Sequence, residues 1–295
     1  MPRILAIVVT YNAMRWLDRC IGSLLCSSLK PDVLVVDNGS SDGTRERVVS
    51  GFPGVQLVCN DCNMGFGAAN NVGLRKAVSG GYDFVYLMNQ DAWVYTDTLG
   101  LLVAAHRRDF GVLSPVQNAA DGNMDSRFRD KCGSFVANGK TSSSSVVEVP
   151  FVMAAHWLVS REALSRVGGF SPAFRQYGED DNFIDRLHWH GLKCGVVPEA
   201  AAVHDRSGRV LPKDRRMRLK CVAPVVKLSN PGNCLPLRCI LEPAELVAMS
   251  VKNLSLYPLG QLPQFLRRYP ELTRLRKESM SEGAFLWTSE NLSLE

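Results

Sequence analysis

The sequence predicts an α/β fold built on a mostly parallel β-sheet with helices on its faces. Short apolar runs, which are typical of buried strands, alternate with segments whose apolar residues recur at helical spacing. Several of the runs end directly in polar clusters rich in turn-forming residues. This alternation indicates consecutive β-α-β units, whose strands lie parallel to one another.

The alternation continues along most of the chain. A polar segment, Gln117–Glu148, lacks strong periodicity and is expected to be an irregular insertion or hairpin; it contains a run of serines, Ser142–Ser145. The predicted strands are Ile4–Val9, Val33–Val36, Val55–Val58, Phe84–Met88, Gly111–Leu113 and Cys194–Val197, with further ordered structure over Val149–Val159. The predicted helices cover Met14–Leu25, a stretch from Thr44, Ala68–Val78, Thr96–His106 and Glu179–His190.

Length and charge predict one large domain with an extension. The chain has 295 residues and a net charge of +5, which suits phosphorylated substrates or an anionic membrane surface but is too weak to indicate nucleic acid. Residues 1–207 are predicted to form the domain, and 208–295 a basic, helical extension that is not an independent domain. Within this extension and just before it, Arg206–Lys220 carries seven basic side chains and one acid. It could therefore contact an anionic membrane, or simply be a solvated basic surface.

The nine cysteines have no regular spacing. Cys59 and Cys62 form one Cys-x-x-Cys pair, with no second pair at zinc-site spacing. We expect reduced, mostly buried thiols and a cytoplasmic protein. No apolar run approaches the ~20 residues that a spanning helix needs.

Polar clusters at residues 10–12, 37–41 and 89–91 follow three of the predicted strands. In parallel sheets ligands bind outside the carboxyl ends of the strands, so these clusters are expected to form a site together. Asp37 could accept hydrogen bonds from a base or ribose, or could be a turn aspartate. Asp91, in Asn89-Gln90-Asp91, could supply oxygen to Mg²⁺ or Mn²⁺, or could cap a helix.

Three adjacent carboxylates, Glu179-Asp180-Asp181, stand at a predicted helix start. The helix dipole explains part of this placement, but crowding of like charges also raises a carboxyl pKa, which suits a general base. Further along, His204 could be a metal ligand or a structural histidine. Arg206 and Arg209 could bind a diphosphate, or could be surface arginines.

The Gly-x-Gly of Gly65-Phe66-Gly67 precedes a helix. A dinucleotide fingerprint would follow the first strand and have a third glycine, whereas here Asn70 takes that position. An NAD-binding interpretation is therefore poor, and a loop whose backbone amides approach a ligand remains open.

Together these motifs resemble the family 2 glycosyltransferases, in their rhamnosyltransferase-like branch, over about Ile4–Ser207. The motifs, in the family's order, are Ile-Val-Val-Thr-Tyr-Asn from Ile7, Val-Val-Asp-Asn-Gly-Ser-Ser-Asp-Gly-Thr from Val35, Asn-Met-Gly-Phe-Gly-Ala-Ala-Asn-Asn-Val-Gly from Asn63, Val-Gly-Gly-Phe from Val167, Tyr-Gly-Glu-Asp from Tyr177 and Pro-Glu-Ala-x-x-x-His from Pro198. The resemblance implies a GT-A (Rossmann-like) fold, to which this chain adds the helical C-terminal extension.

The resemblance also implies a role for each site residue. The nucleotide and donor sugar would contact Thr10, Tyr11, Asn12, Asp37, Asn38, Asn63, Gly65, Asn70, Asn89 and Arg206. Asp91 would bind Mg²⁺ or Mn²⁺, with His204 as second ligand. Asp180 would be the base and Glu179 its competitor, and Ala155, His156 and Trp157 would lie near the sugar or acceptor.

The chain departs from the family pattern at two motifs. The usual Asp-x-Asp is Asn89-Gln90-Asp91, and Glu-Asp-x-Asp becomes Glu179-Asp180-Asp181-Asn182. The expected activity is inverting transfer from a dTDP- or UDP-sugar to a saccharide or lipid-linked acceptor in surface polysaccharide synthesis. The rival functions are a sugar nucleotidyltransferase, which would have a glycine-rich basic loop where Thr10–Met14 stands, and a non-catalytic sugar-nucleotide-binding protein.

Overall fold

A nine-stranded sheet forms the centre of the protein in the computed structural model, which describes residues 1–139, 145–207 and 213–287. The strands are β1 (Ile4–Thr10), β2 (Asp32–Asp37), β3 (Gln56–Cys59), β4 (Phe84–Asn89), β5 (Ala92–Val94), β6 (Phe110–Asn118), β7 (Val147–Val149), β8 (His156–Ser160) and β9 (Lys193–His204). Their order across the sheet is β3-β2-β1-β4-β8-β6-β9-β5, and β7 pairs with β9.

Helices flank the sheet, which confirms the α/β fold class. They are α1 (Leu17–Leu25), α2 (Thr44–Gly51), α3 (Phe66–Ser79), α4 (Thr98–Ala105), α5 (Ser126–Phe128), α6 (Ser134–Gly139), α7 (Arg161–Val167), α8 (Glu179–Trp189), α9 (Lys213–Lys220), α10 (Ala223–Ser229), α11 (Leu235–Lys252), α12 (Tyr257–Arg267) and α13 (Tyr269–Glu278). The longest of them, α11, has 18 residues, and neither it nor any other described helix has the length and apolar character that crossing a bilayer requires.

The sheet is mixed, with its parallel part at the amino-terminal half. Strands β1 to β4 pair in parallel, as do β6 and β9. In contrast, β8 runs antiparallel to both β4 and β6, and β5 and β7 run antiparallel to β9. Strand direction after β6 depends on where the intervening segment re-enters the sheet, and hydrophobic periodicity does not encode that.

The segment predicted to be irregular contains helices. Asp125 Oδ1 accepts a hydrogen bond from the Phe128 backbone amide at 2.9 Å and caps α5, and a π-helical turn, Arg129–Gly133, links α5 to α6. Phe128, Cys132 and Val136, four residues apart, are buried in the main core. The prediction of an irregular insertion was therefore wrong over this part, because a short i, i+4, i+8 stripe lay within a polar sequence. Residues 140–144 of the serine-rich stretch lie outside the described residues.

The C-terminal helices share a core with the rest of the chain. Leu228, Leu246 and Phe265 of the extension pack in one apolar cluster with Ala173 and Phe174, which precede α8. At the end of the described chain, Leu286 joins the main core under the sheet. This arrangement fits an extension that folds together with the domain, and the boundary at residues 207 and 208 stays a prediction, since 208–212 are not described.

The cysteines are all free in the structure. Three are buried, Cys20, Cys132 and Cys194, whereas four are exposed and two are half-buried. The expectation of mostly buried thiols was therefore wrong, while unpaired thiols agree with the structure.

Gly168 offers a test of how tightly the 283–286 segment packs against the domain. Its φ is +84°, and a Cβ there would lie 1.9 Å from the Ala284 carbonyl oxygen. We expect Gly168→Ala to lower the free energy of unfolding by about 3 kcal/mol, measured by urea denaturation, since both the backbone and the packing oppose it.

Gly122 is the matched control, with φ +87° and no atom within 4 Å of an added Cβ. Gly122→Ala should cost only the backbone preference, about 1 kcal/mol. Equal losses in the two variants would contradict tight docking of the 283–286 segment.

Candidate active site

Two adjoining cavities lie at the carboxyl edge of the parallel strands. The first, of about 800 Å³, extends from the loops after β1, β2 and β4 to the C-terminal helices. The second, of about 1270 Å³, lies among the insertion helices, the chain before β8, the start of α8 and the end of β9. Phe66, Asn89, Gln176 and Tyr177 line both cavities, so the two form one continuous site.

Asp37 is the fully buried end of β2 and organises the loop beneath the first cavity. Its carboxylate accepts hydrogen bonds from Thr10 Oγ1 at 3.0 Å, from the Ser40 amide at 2.9 Å and from Arg45 Nε at 2.5 Å. Burial alone would raise the pKa of Asp37, but these donors hold it below its ordinary value.

Asp37 therefore has its acceptor positions filled by the protein and does not line either cavity. Thr10, Asn12 and Asn70 are likewise absent from both linings. Asn12 Oδ1 accepts from the Ser41 amide at 2.9 Å, and Asn70 Nδ2 donates to the Phe66 carbonyl at 2.9 Å. The nucleoside contact expected of these four side chains stays a prediction, and in this structure each of them contacts the protein. They shape the loops that face the cavity.

A network of amides forms one wall of the first cavity. Asn38 Nδ2 donates to Asn63 Oδ1 at 3.1 Å and to the Gly65 carbonyl at 3.2 Å, while Asn38 Oδ1 accepts from the Met64 amide at 3.1 Å. Gly65 has φ +92°, and a Cβ there would lie 2.0 Å from the Arg175 carbonyl oxygen. Glycine is therefore required where these loops meet, and Asn38, Asn63 and Gly65 line the cavity as expected.

Tyr11 lies at the mouth of the same cavity. Its backbone amide donates to Gln90 Oε1 at 2.7 Å, and Gln90 Nε2 donates back to the Tyr11 carbonyl at 3.2 Å. This paired contact holds the loop after β1 against the loop after β4. The Tyr11 ring stays half-exposed, which leaves it free to stack on a planar ligand.

Asp91 and His204 form a buried pair between the two cavities. The Asp91 Oδ1–His204 Nε2 distance is 3.4 Å, and the Asn89 Nδ2–His204 Nε2 distance is also 3.4 Å. Asp91 faces the first cavity and His204 the second. Arg206 Nε donates to His204 Nδ1 at 3.2 Å and lies 3.4 Å from Asp125 Oδ2. Strand pairing of β5 with β9 sets Ala92 opposite His204 and so brings the pair together.

This pair fits a divalent cation as far as its chemistry goes. A carboxylate oxygen and an imidazole nitrogen are suitable donors, and both are almost fully shielded from solvent. The pair supplies two such donors, and nowhere in ranges 1–139, 145–207 and 213–287, this pair included, do three or more His, Cys, Asp or Glu side chains form a cluster that could hold a metal ion. The remaining ligands would have to come from a bound substrate.

The start of α8 brings two carboxyl groups to the second cavity. Burial, together with the neighbouring Asp180, raises the pKa of Glu179 to about 8. Burial and the adjacent Asp181 raise the pKa of Asp180 to about 7. Glu179 Oε2 is buried with no hydrogen-bond partner among the described residues. A carboxyl group that titrates near neutrality can accept a proton under physiological conditions.

The chain just before β8 contributes Met153, Ala154 and Ala155 to the lining of the second cavity. His156 is fully buried, and its Nδ1 and Nε2 contact the Tyr86 hydroxyl at 2.8 Å and the Val203 carbonyl at 3.1 Å. Trp157 is in the main core and donates to the Val152 carbonyl. Both side chains lie inside the protein, and the expectation that His156 and Trp157 lie near the sugar or acceptor stays a prediction.

Several lining residues were missed from the sequence. They include Phe66, Gln90, Arg127, Arg129, Arg175, Gln176, Tyr177, Arg215, Arg218 and Arg268. Their only local signal is the Gln-Tyr-Gly turn, where Tyr177 has φ +70°. The arginines come from four separate segments, so no spacing rule could group them. Arg209, which was considered for diphosphate binding, lies outside the described residues.

The fold and site define an α/β protein with two adjoining cavities at the carboxyl edge of its parallel strands, one of which contains two carboxyl groups with raised pKa values. A family model described as "Glycosyl transferase family 2" matches residues 5–168, just over half of the chain. The chain belongs to this family and is a glycosyltransferase. The matched range ends before Glu179 and His204, so the carboxylates of α8 and the end of β9 lie outside it.

A curated relative supports the rhamnosyltransferase-like assignment. The chain is 29% identical over 231 residues to N-acetylglucosaminyl-diphospho-decaprenol L-rhamnosyltransferase of Mycobacterium tuberculosis, covering 68% of this chain and 75% of that protein. It is also 32% identical over 108 residues to undecaprenyl-phosphate mannosyltransferase of Micrococcus luteus, covering 36% and 44% of the two chains.

Solved structures confirm the GT-A fold. S. aureus TarS 1–349 superposes with a TM-score of 0.60 at 16% identity, covering 94% of this chain and 82% of that one. The mannosyltransferase PcManGT of Pyrobaculum calidifontis, in complex with GDP-Man and Mn²⁺, gives a TM-score of 0.53 at 20% identity, covering 99% and 87%.

The raised pKa of Glu179 predicts a pH-dependent stability. The folded protein holds this proton more strongly than the unfolded chain, so its contribution to stability is present below pH 4.5 and is lost as pH rises towards about 8. We expect Glu179→Gln to be about 2 kcal/mol more stable than wild type at pH 9 and nearly equal to it at pH 4, measured by thermal unfolding across that range.

Glu46→Gln, at an exposed position of α2, is the control for loss of a surface charge. It should follow the wild-type pH profile. A Glu179→Gln profile that also follows wild type would contradict a buried, proton-retaining Glu179.

Proposed function

We propose that this enzyme transfers a sugar, with inversion at the anomeric carbon, from a dTDP- or UDP-sugar to a hydroxyl of a lipid-linked saccharide in surface polysaccharide synthesis. One observation carries the proposal. The buried Asp91–His204 pair lies between a cavity lined by Tyr11, Asn38 and Gly65 and a cavity that contains the Glu179–Asp180 carboxyls. In this proposal the donor and the acceptor each occupy one cavity, and the two cavities meet at the Asp91–His204 pair.

The donor nucleotide occupies the first cavity in this proposal. Tyr11 offers an exposed ring for stacking on a base, and the Asn38–Asn63 network fixes the loops that would contact base and ribose. Loops held in place by such a network can bind a planar base without having to reorganise.

Asp91 and His204 would hold Mn²⁺ or Mg²⁺ together with the donor diphosphate. When bound, the cation would offset the negative charge of the departing diphosphate. Arg206 reaches His204 from the second cavity, where its guanidinium can add a hydrogen bond to the diphosphate. The metal bound in the PcManGT structure supports this assignment.

Asp180 is the base in this proposal. The acceptor hydroxyl gives its proton to the Asp180 carboxylate as its oxygen bonds to the anomeric carbon, and the bond from that carbon to the diphosphate breaks on the opposite face. With a pKa near 7, Asp180 is substantially ionised at neutral pH, whereas Glu179, near 8, mostly keeps its proton. A neutral Glu179 does not repel the charge on Asp180, so it does not raise the pKa of Asp180 further.

The acceptor is a saccharide linked through diphosphate to a polyprenol. The relative from M. tuberculosis is named for such a substrate and for transfer of L-rhamnose, and this supports rhamnose as the donor sugar. In the second cavity Arg127, Arg129 and Arg215 line the same space as Asp180, where they can bind an acceptor diphosphate. We assign the enzyme to the cytoplasmic face of the membrane, because a polyprenol-linked acceptor is anchored in a membrane and unpaired cysteines are typical of the cytoplasm.

Asp180→Asn tests the role of the base. We expect the variant to lose at least about 10³-fold in kcat with the nucleotide-sugar donor, while the dissociation constant of UDP or dTDP changes less than about threefold, since Asp180 lines only the acceptor cavity. Transfer is measured with radiolabelled donor and nucleotide binding by calorimetry.

Asp181→Asn, at the neighbouring residue, is the matched control for Asp180→Asn. It removes the adjacent charge that raises the pKa of Asp180, so activity should persist while the acidic limb of the pH–rate profile moves to lower pH. Loss of nucleotide binding in Asp180→Asn would refute the division into two cavities, and full activity would favour a different base or the non-catalytic rival.

Asp91→Asn tests whether the Asp91–His204 pair holds the divalent cation. We expect Mn²⁺ to lower the dissociation constant of UDP or dTDP for wild type, and the factor by which Mn²⁺ lowers it to be about tenfold smaller for the variant. In EDTA the two proteins should bind the nucleotide equally. Calorimetric titration with UDP, dTDP, GDP and NAD, with and without Mn²⁺, measures this.

Asp121→Asn, an exposed acid of the second cavity, is the control and should behave as wild type. Equal Mn²⁺ dependence in Asp91→Asn and wild type would remove Asp91 from the cation site. Binding of NAD alone would refute the proposed donor.

A further inference from the structure

An unpartnered apolar stripe runs along α11 and continues beyond its end. Its exposed members are Leu237, Ile240, Ala244, Val247, Val251 and Leu254. They recur at alternating intervals of three and four residues, which aligns them on one face of the helix. Ile240 is 70% exposed and Val251 72% exposed. The opposite face of α11 already packs through Leu246 into the C-terminal core, so the exposed stripe is not needed for folding.

The stripe ends at a protruding turn between α11 and α12. Leu254 is 95% exposed and Leu256 is 81% exposed. Backbone hydrogen bonds fix the turn, since the Leu254 amide donates to the Val251 carbonyl and the Ser255 amide to the Ser250 carbonyl. Leu254 adopts φ +49°, a conformation that leucine rarely takes. The turn therefore holds two large apolar side chains in solvent, at some cost in backbone strain.

Cations surround this turn and acids are absent from it. Lys220 Nζ donates to Asn253 Oδ1 at 3.0 Å, the Arg218 guanidinium lies 5.7 Å from the centre of the Tyr257 ring, and Lys252 ends α11. From residue 246 to residue 270 the sequence has three basic residues and no acid. An exposed apolar turn with a cationic border is the composition of a surface that inserts into an anionic bilayer.

The surface is also continuous with the active site. Tyr257, beside the turn, lines the first cavity together with Arg218 and Phe265. The cavity thus reaches the same edge of the molecule as the exposed leucines. A second copy of the chain would bring the same cations and no opposing charge, so a membrane is the better partner.

We propose that the α11 stripe and the Leu254–Tyr257 turn, termed here the docking surface, insert into the headgroup region of an anionic membrane. Lys252, Lys220 and Arg218 contact lipid phosphates at its border. This inference rests on the proposed function only for its purpose, which is to hold the enzyme at the membrane that contains the lipid-linked acceptor.

Vesicle co-sedimentation tests the docking surface without donor or acceptor. Wild-type protein should bind phosphatidylcholine vesicles that contain phosphatidylglycerol, and should bind pure phosphatidylcholine at least about tenfold more weakly. Leu254→Glu/Leu256→Glu should reduce binding at least about tenfold, because it removes two apolar anchors and adds like charge to the lipid. Lys252→Glu should reduce binding about fivefold and weaken its salt dependence.

Val49→Glu is the matched control, a comparably exposed apolar side chain on α2. It should bind vesicles as wild type does. Failure of the wild type to bind, or equal losses in Val49→Glu and the leucine variant, would overturn the proposal. So would a wild-type dimer in light scattering that the leucine variant converts to monomer, since the surface would then join two copies.

Transfer to a water-soluble, short-chain acceptor separates this inference from the proposed function. We expect Leu254→Glu/Leu256→Glu to keep wild-type activity on that acceptor and to lose at least about tenfold on a polyprenyl-linked acceptor in vesicles. Vesicle binding without transfer to either acceptor would refute the proposed function alone. Transfer to the soluble acceptor without vesicle binding would refute the docking surface alone.

Discussion

The site depends on one constraint, the parallel pairing of β1 with both β2 and β4. In this register Thr10 lies opposite Asp37 and Val9 opposite Asn89, so three strand ends and their polar loops meet at one edge. The buried Asp37 carboxylate then ties this edge together through Thr10, Ser40 and Arg45. A buried carboxylate is tolerated only when such donors satisfy it, which makes the loop geometry nearly obligatory.

The same edge carries groups that the fold does not satisfy. Glu179 Oε2 is buried without a hydrogen-bond partner among the described residues, and like charges crowd the start of α8. The three acids there gain from the dipole of α8, yet burial outweighs that gain and raises their pKa values. The protein therefore holds protonatable carboxyls at the second cavity, at the expense of stability as pH rises from 4.5 towards about 8, as functional sites commonly do.

The sequence could predict the elements and the edge at which they meet, but not which side chains face the cavities. Periodicity located β1, β2 and β4, and the polar clusters that follow β2 and β4 contain Asn38 and Asp91, which line the first cavity. Periodicity could not predict that the Trp157 side chain lies in the main core, since a strand's alternation does not say which of its faces meets the core. It also missed Arg127, Arg215 and Arg218, because segments far apart in sequence meet only through the tertiary fold.

Helix α9 of the C-terminal extension contacts both cavities and the exposed turn. Along this one helix, Arg215 lines the second cavity and donates to the Tyr177 hydroxyl at 3.0 Å, and Arg218 lines the first cavity. At its end, Lys220 contacts the turn that bears Leu254. A shift of α9 would therefore change both cavities and the exposed turn together. The linings of both cavities and the turn that bears Leu254 thus depend on the position of a single helix, α9.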